Sequence, residues 1–164
     1  MDISIKQKNF EFKVRTSGLI INNGKLLICK LDTAEHYCLP GGHCHVNETS
    51  PEAIKREIKE ETGLDVKIDC LSALLENIYS TKKARMHEIN FFYKLTPTNL
   101  PKEKQTDWDF VELDEGEYKH QEFKWIDIKD FDNYDIRPSI IKDLIHNNKL
   151  LHIEMVDNIP TFLN

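Results

Sequence analysis

Glu57, Glu60 and Glu61 stand at spacings that gather carboxylates on one side of a helix, Glu57 with Glu61 at i,i+4 and Glu57 with Glu60 at i,i+3. The residues around them read as that helix. Either Ser50 caps it with Pro51 at the first helical position, or Thr49 and Glu52 form a capping box one residue earlier. Gly63 is suited to end it in a left-handed conformation. On a wheel of about 100° per residue the three glutamates fall in one sector, with Ala53 inside it and Ile54 and Ile58 beside it. Glu52, Lys55, Lys59 and Thr62 take the opposite side, which reads as the solvent face. Acidic side chains therefore share the edge that should meet the core. Like charges at these spacings destabilise a helix by roughly 0.2–0.5 kcal/mol per pair, and burial adds to that cost. A divalent cation removes both penalties. Hard Mg²⁺ or Mn²⁺ prefers carboxylate oxygens and keeps waters that phosphate groups can replace. A solvated charged face is the plain alternative for such a run taken alone.

The flanking residues favour the metal. Gly42 is followed after five residues by Glu48, and after seven more by Arg56-Glu57-Ile58-Lys59-Glu60-Glu61-Thr62-Gly63-Leu64. This stretch resembles a complete Nudix box, G-x5-E-x7-R-E-U-x-E-E-x-G-U with U aliphatic. The resemblance implies a Nudix hydrolase: an α/β/α sandwich with a mixed β-sheet and the box helix packed against it. It implies cleavage of a nucleoside diphosphate linked to another moiety, with Mg²⁺ or Mn²⁺ as cofactor. Carried over by position, Glu57, Glu60 and Glu61 bind metal, joined by the backbone of Gly41, while Arg56 and Glu48 orient Glu57 and Gly42 lets the chain turn beside the site. In related enzymes the base that activates water is a glutamate of the box or of a later strand or loop. Here the outside candidates are Glu88, Glu112, Glu117 and Glu122. Glu88 and Glu122 are favoured because strands hold side chains more rigidly than loops. Two positions depart from the common pattern, His45 and Asn47 standing where many relatives carry Glu and Gly; Asn tolerates the left-handed turn.

Nucleoside triphosphates, oxidised ones included, lead as substrates, giving monophosphate and pyrophosphate. Nucleotide sugars of the ADP-ribose kind and dinucleoside polyphosphates are the alternatives within the class. A domain that senses nucleotides without hydrolysing them is the alternative outside it, but a retired site should have lost its carboxylates. Tyr79 resembles, at a slightly short spacing, a tyrosine of dinucleoside-polyphosphate hydrolases, and strand packing explains it as well. His43, Cys44 and His45 near Cys38 lack zinc-site spacing. His87 and Glu88 are strand neighbours, so at most one faces the site.

The elements that must position these groups follow from the local patterns. Residues 11–21 and 25–31 alternate as strands around Asn22-Asn23-Gly24, a hairpin signal. Residues 37–39 read as a short strand. Residues 66–79 and 86–95 read as two more, the second with Ile89, Phe91 and Tyr93 on one face and Glu88, Asn90 and Phe92 on the other. Residues 96–119 read as a long acidic mobile connection, and together with 80–85 they should set specificity. Residues 121–128 are strand-like. Arg137-Pro138 opens a final helix with Ile140, Ile141, Leu144 and Ile145 as its stripe, and residues 150–155 add a small strand.

Composition agrees with one domain over 1–164. A chain near this size buries roughly 68–70% of its unfolded surface. Hydrophobic residues make up 40% and charged residues 30%, which excludes disordered, collagenous and disulfide-dense classes. No run approaches the length of a membrane-spanning helix, and the first residues lack a secretory h-region, so a cytoplasmic protein with reduced cysteines is expected. The net charge of −6 disfavours duplex nucleic acid as a partner; a small nucleotide-derived substrate is what the resemblance implies. The sequence leaves the oligomeric state open, a homodimer included.

Overall fold

Asn23 and Gly24, both with positive φ (49° and 75°), turn the chain between two strands as the Asn-Gly pair predicts. In chain order the elements are β1 (Ser4–Gln7), β2 (Phe10–Asn22), β3 (Lys25–Leu31), α1 (Ser50–Thr62), β4 (Asp65–Ser80) and β5 (Arg85–Asn99). They continue with β6 (Trp108–Asp114), β7 (Glu117–Asp127), α2 (Ile141–His146), β8 (Leu151–Val156) and β9 (Ile159–Phe162). The structure, a computed structural model, describes residues 1–114 and 117–163, with side chains for all of these outside 112–119.

β2 is the hub. It runs antiparallel to β1 and parallel to β5, in register from Phe10 opposite Arg85 to Ile20 opposite Leu95. Beyond β5 come β4, then β8 parallel to it, then β9. On the other side β3, β7 and β6 form an antiparallel ribbon. That ribbon joins β2 only at Ile21 opposite Leu26 and Asn22 opposite Lys25.

Each face of this assembly carries one helix and one core. Ile54 and Ile58 of α1 pack on Ile20, Leu27, Leu95, Phe123 and Trp125, drawn from both the mixed sheet and the ribbon. Ile140, Ile141, Leu144 and Ile145 pack on the opposite face against Leu19, Leu26, Ile28, Leu75 and Ile153. The α/β/α sandwich with a mixed sheet is therefore present. Among the described residues no helix is long and apolar enough to cross a membrane.

Several expectations need correction. Of residues 96–119, read as a mobile connection, 96–99, 108–114 and 117–119 are paired strand and 115–116 lie outside the described residues: β5 runs to Asn99 and β6 pairs with β7 from Trp108 opposite Phe123 onward. Trp108 stacks on Phe123 at 4.9 Å, a cross-strand aromatic contact that outweighs the acidic composition. Thr62 is buried instead of solvent-facing, because its hydroxyl donates to Ile58 O (2.5 Å) and accepts from Leu64 N–H (3.1 Å), closing the helix end. Residues 37–39 make isolated bridges, Cys38 with Cys29 and Tyr37 with Ile136, rather than a strand. The final helix is short, starting at Ile141 rather than beside Arg137-Pro138.

Ile58 is fully buried where α1 meets both sheets. Its replacement by alanine should cost about 2–5 kcal/mol. Urea denaturation should show a lower midpoint with an unchanged slope.

Candidate active site

Thr49 caps α1 through the capping box, Pro51 lies in the first turn, and Gly63 ends the helix at φ 73°. With the helix so bounded, Arg56, Glu57, Glu60 and Glu61 lie along the edge facing residues 41–48. Arg56 organises that edge. Its Nε and Nη2 donate to the two oxygens of Glu48 at 2.7 and 2.9 Å. Nη2 also donates to the carbonyl of His43 (2.9 Å), and Nη1 donates to Glu57 (2.8 Å) and Glu60 (3.0 Å). All five guanidinium N–H groups thus have an acceptor. Glu48 also accepts from His45 N–H (3.0 Å), and Asn47 takes φ 65°, so the Gly-to-Asn departure keeps the turn. The hydrogen bonds from Arg56 hold the Glu48 carboxyl down at about 2.

Gly42 packs directly on Glu57: a Cβ at 42 would overlap its carboxylate. Gly41, at φ 140°, is held between the Thr16 carbonyl, where a Cβ would also collide, and Glu61, to which its N–H donates at 3.0 Å. Its carbonyl accepts from Arg15 Nη2 (3.1 Å). Burial pushes the Glu61 carboxyl up to about 8, with the Gly41 N–H opposing and the Glu57 charge reinforcing the rise. Glu57 is raised as well, by burial first, against the pull of Arg56. Glu60 is different, its side chain 60% exposed at the solvent rim.

These donors suit a hard cation. Among the described residues no three His, Cys, Asp or Glu side chains converge as a ready-made cage. Mg²⁺ does not need one, since it is held by one or two carboxylates plus waters and phosphate oxygens. Glu57 and Glu61 supply such a pair, both destabilised as anions by burial and therefore favoured by a nearby positive charge.

Glu61 opens on a cavity of about 520 Å³, inside the usual range for small-molecule sites. Arg15, Cys38 and Gln121 flank it there; Phe92, Met155 and Ile141 form apolar floor; Asn77, Ser80, Thr81, Asp157 and Asn158 give polar lining. Arg15 Nε is shielded from solvent without a partner, as are Asn77 Oδ1 and Asn90 Oδ1.

The structure brings Arg56, Glu57, Glu61, Gly41, Gly42 and Glu48 together. Glu88 also lines the cavity, buried, ion-paired with Lys13 at 3.3 Å and accepting from Asn90 (3.2 Å). His87 points away to Glu76 (2.8 Å), as strand alternation requires. Glu122 is not brought to the cavity. Its neighbour Gln121 is, while Glu122 pairs with Lys124 (2.7 Å), Lys30 (3.8 Å) and the Tyr37 hydroxyl (3.2 Å). The side chains of Glu112 and Glu117 lie outside the described residues. Tyr79 does line the cavity, and burial pushes its hydroxyl up to about 12. Of the aromatics, Phe92 reaches the cavity, while Tyr93 and Trp125 belong to the core beneath α1. His43 and His45 both turn to Asp2 (3.6 and 3.2 Å). Arg15 and Lys13 were not anticipated; cations inside the apolar-patterned run Phe12-Lys-Val-Arg-Thr were the available signal.

The NUDIX domain family model matches residues 12–145, and the chain belongs to that family. It is similar to an ADP-ribose pyrophosphatase of Methanocaldococcus jannaschii, 36% identical over 87 residues that make up 50% of this chain and 49% of that protein. It is also similar to YjhB of Bacillus subtilis, provisionally named for the same activity, 29% identical over 83 residues, 51% of this chain and 38% of that one. The chain thus matches about half or less of the length of these curated relatives. In fold it resembles a mutator MutT protein of Bacillus halodurans, with TM-score 0.66 and 17% identity, covering 93% of this chain and 95% of that one.

The depressed Glu48 value fixes a sign. Its contribution to stability is full above the ordinary value of 4.5 and is lost as pH falls from there toward about 2. Melting temperatures followed across that window should fall in the parent protein and fall less steeply in Glu48→Gln, which starts less stable at neutral pH. Gly42→Ala should displace the Glu57 carboxylate and reduce turnover by about 100-fold, the scale of a small misplacement. Circular dichroism should show the fold retained.

Proposed function

We propose that the protein is a divalent-metal-dependent pyrophosphohydrolase that cleaves the diphosphate of a nucleoside diphosphate derivative, with nucleotide sugars of the ADP-ribose type as its substrate class. The observation that carries this reading is the buried Glu57–Glu61 edge, whose Glu61 opens on a cavity with a further lining rich in hydroxyl and amide groups. Glu57 and Glu61 would hold Mg²⁺ or Mn²⁺, with Glu60 at the rim beside them. When bound, the ion supplies charge neutralisation at the phosphate oxygens and a water of lowered pKa.

The protein's own groups do the rest. Arg56 fixes Glu57 in position, and the Gly41 N–H fixes Glu61. Arg15, whose Nε lacks a partner, offers a donor to diphosphate oxygen from inside the cavity. Glu88, which lines the cavity, would take a proton from the attacking water, a reading supported by Glu122 not lining it and pairing with Lys124 instead. Asn77, Ser80 and Asn158 provide hydrogen-bond partners for sugar hydroxyls. The two relatives named for ADP-ribose support this choice over the nucleoside triphosphates favoured by the sequence.

A substrate panel decides the matter: ADP-ribose, other nucleotide sugars, nucleoside triphosphates with oxidised forms, and dinucleoside polyphosphates, each with Mg²⁺ or Mn²⁺. ADP-ribose should yield AMP and ribose 5-phosphate only with metal. Glu57→Gln should lower kcat by about 100- to 1,000-fold, the scale of removing an electrostatic stabiliser. Glu88→Gln should lower kcat by at least about 100-fold, as loss of a general base does, while Glu122→Gln stays near the parent rate. Turnover of triphosphates alone would reassign the substrate class. Tight binding without any turnover would make the domain a sensor.

A further inference from the structure

The Cys29–Cys38 pair lies on the cavity wall and has no part in the hydrolysis described above. Their sulfurs are 3.6 Å apart, and both residues line the cavity beside Glu61. The two backbones exchange both hydrogen bonds, Cys29 N–H to Cys38 O (2.9 Å) and Cys38 N–H to Cys29 O (2.8 Å). Such a hydrogen-bonded pair holds its Cα atoms about 5.5 Å apart, within the range of about 4.4–6.8 Å that disulfides span. Bond formation at about 2.05 Å therefore asks the sulfurs to close by only about 1.5 Å. We propose that Cys29 and Cys38 are a redox-active dithiol, oxidised by a hydroperoxide to an intramolecular disulfide that distorts the metal-binding edge and lowers turnover.

The chemistry divides between the two thiols. Cys38 is half-buried and reaches the cavity, and the contact it shares with Cys29 together with nearby Arg15 favours its thiolate. Cys29 is buried, and its contact with Cys38 together with that burial pushes its thiol up. The Cys38 thiolate attacks one peroxide oxygen, the O–O bond breaks, and hydroxide leaves, giving a sulfenic acid. Cys29 sulfur then attacks the Cys38 sulfur, the S–O bond breaks, and the Cys29 proton leaves with that hydroxyl as water. Two electrons pass from the thiol pair to the peroxide. The neighbouring cysteines differ. Cys44 is buried with its thiol pushed up to about 11, and Cys70 is exposed on β4.

The disulfide reaches the catalytic edge through three residues. Cys38 leads through Leu39-Pro40 to Gly41, which is jammed against the Thr16 carbonyl and donates to Glu61. A segment without slack cannot absorb the shift at Cys38 without moving that contact.

The test uses the full chain in a Cys70→Ser background, which removes the exposed thiol. Reduced protein is treated with graded hydrogen peroxide, alkylated under denaturing conditions and digested. The expected result is a Cys29–Cys38 linked peptide, a mass loss of two hydrogens and two fewer alkylated thiols. Cys29→Ser should stop at a Cys38 sulfenic acid that dimedone traps. Turnover on the best panel substrate, or Mn²⁺ affinity if no substrate is turned over, should fall at least fivefold on oxidation and recover with dithiothreitol. No linked peptide, or oxidation of Cys44 in preference, would overturn the proposal. So would a linked peptide that leaves both turnover and Mn²⁺ affinity unchanged. Untreated protein in the same assay reports separately on the hydrolase reading.

Discussion

The guanidinium of Arg56 is the constraint on which the carboxylate edge of α1 depends. It sits where three carboxylates, Glu48, Glu57 and Glu60, would otherwise repel one another, and it donates to all three. Its remaining bond, to the His43 carbonyl, fastens the loop that precedes the helix. The planar fork matters as much as the charge, because a lysine at 56 could not meet Glu48 through two parallel bonds and still reach the others. Removing one partner would leave half-buried charges uncompensated, which costs more than the pair contributes.

Around that edge the fold supplies opposite charge at a distance. Lys13 and Arg15 rise from β2, and the parallel register of β2 with β5 sets Glu88 against Lys13. The cavity thus has Glu61 on the helix side and both Arg15 and Glu88 on the sheet side. Such an arrangement suits a ligand that is itself anionic and arrives with a cation. Phe92, Met155 and Ile141 give the same space an apolar floor that excludes water from part of the ligand.

The helix, its capping box, its glycine stop, the first hairpin and the carboxylate edge were all legible in the sequence, because each is written in residues close together in the chain. What was illegible depends on distant pairing. Lys13 and Glu88 meet through a parallel register that no local pattern encodes. Glu122 looked as good a candidate as its neighbours, since period-two alternation says that faces differ but not which face meets the cavity. Residues 108–114 looked like a loop because acidic side chains masked Trp108 and Phe110, whose value appears only opposite β7. Thr62 looked exposed because its hydroxyl is satisfied by the helix itself.

The groups that hold Glu57 in place lie almost entirely within residues 42–64, whereas the distal cavity wall is drawn from β2, β4, β5 and the turn between β8 and β9. The two sets of contacts share few neighbours, so changes in them should act almost independently. A lineage carrying this scaffold can exchange one ligand for another by replacing distal lining residues one at a time. The short contiguous stretch that builds the carboxylate edge need not change in such exchanges, which separates a compact fixed unit from an adaptable remainder of the cavity.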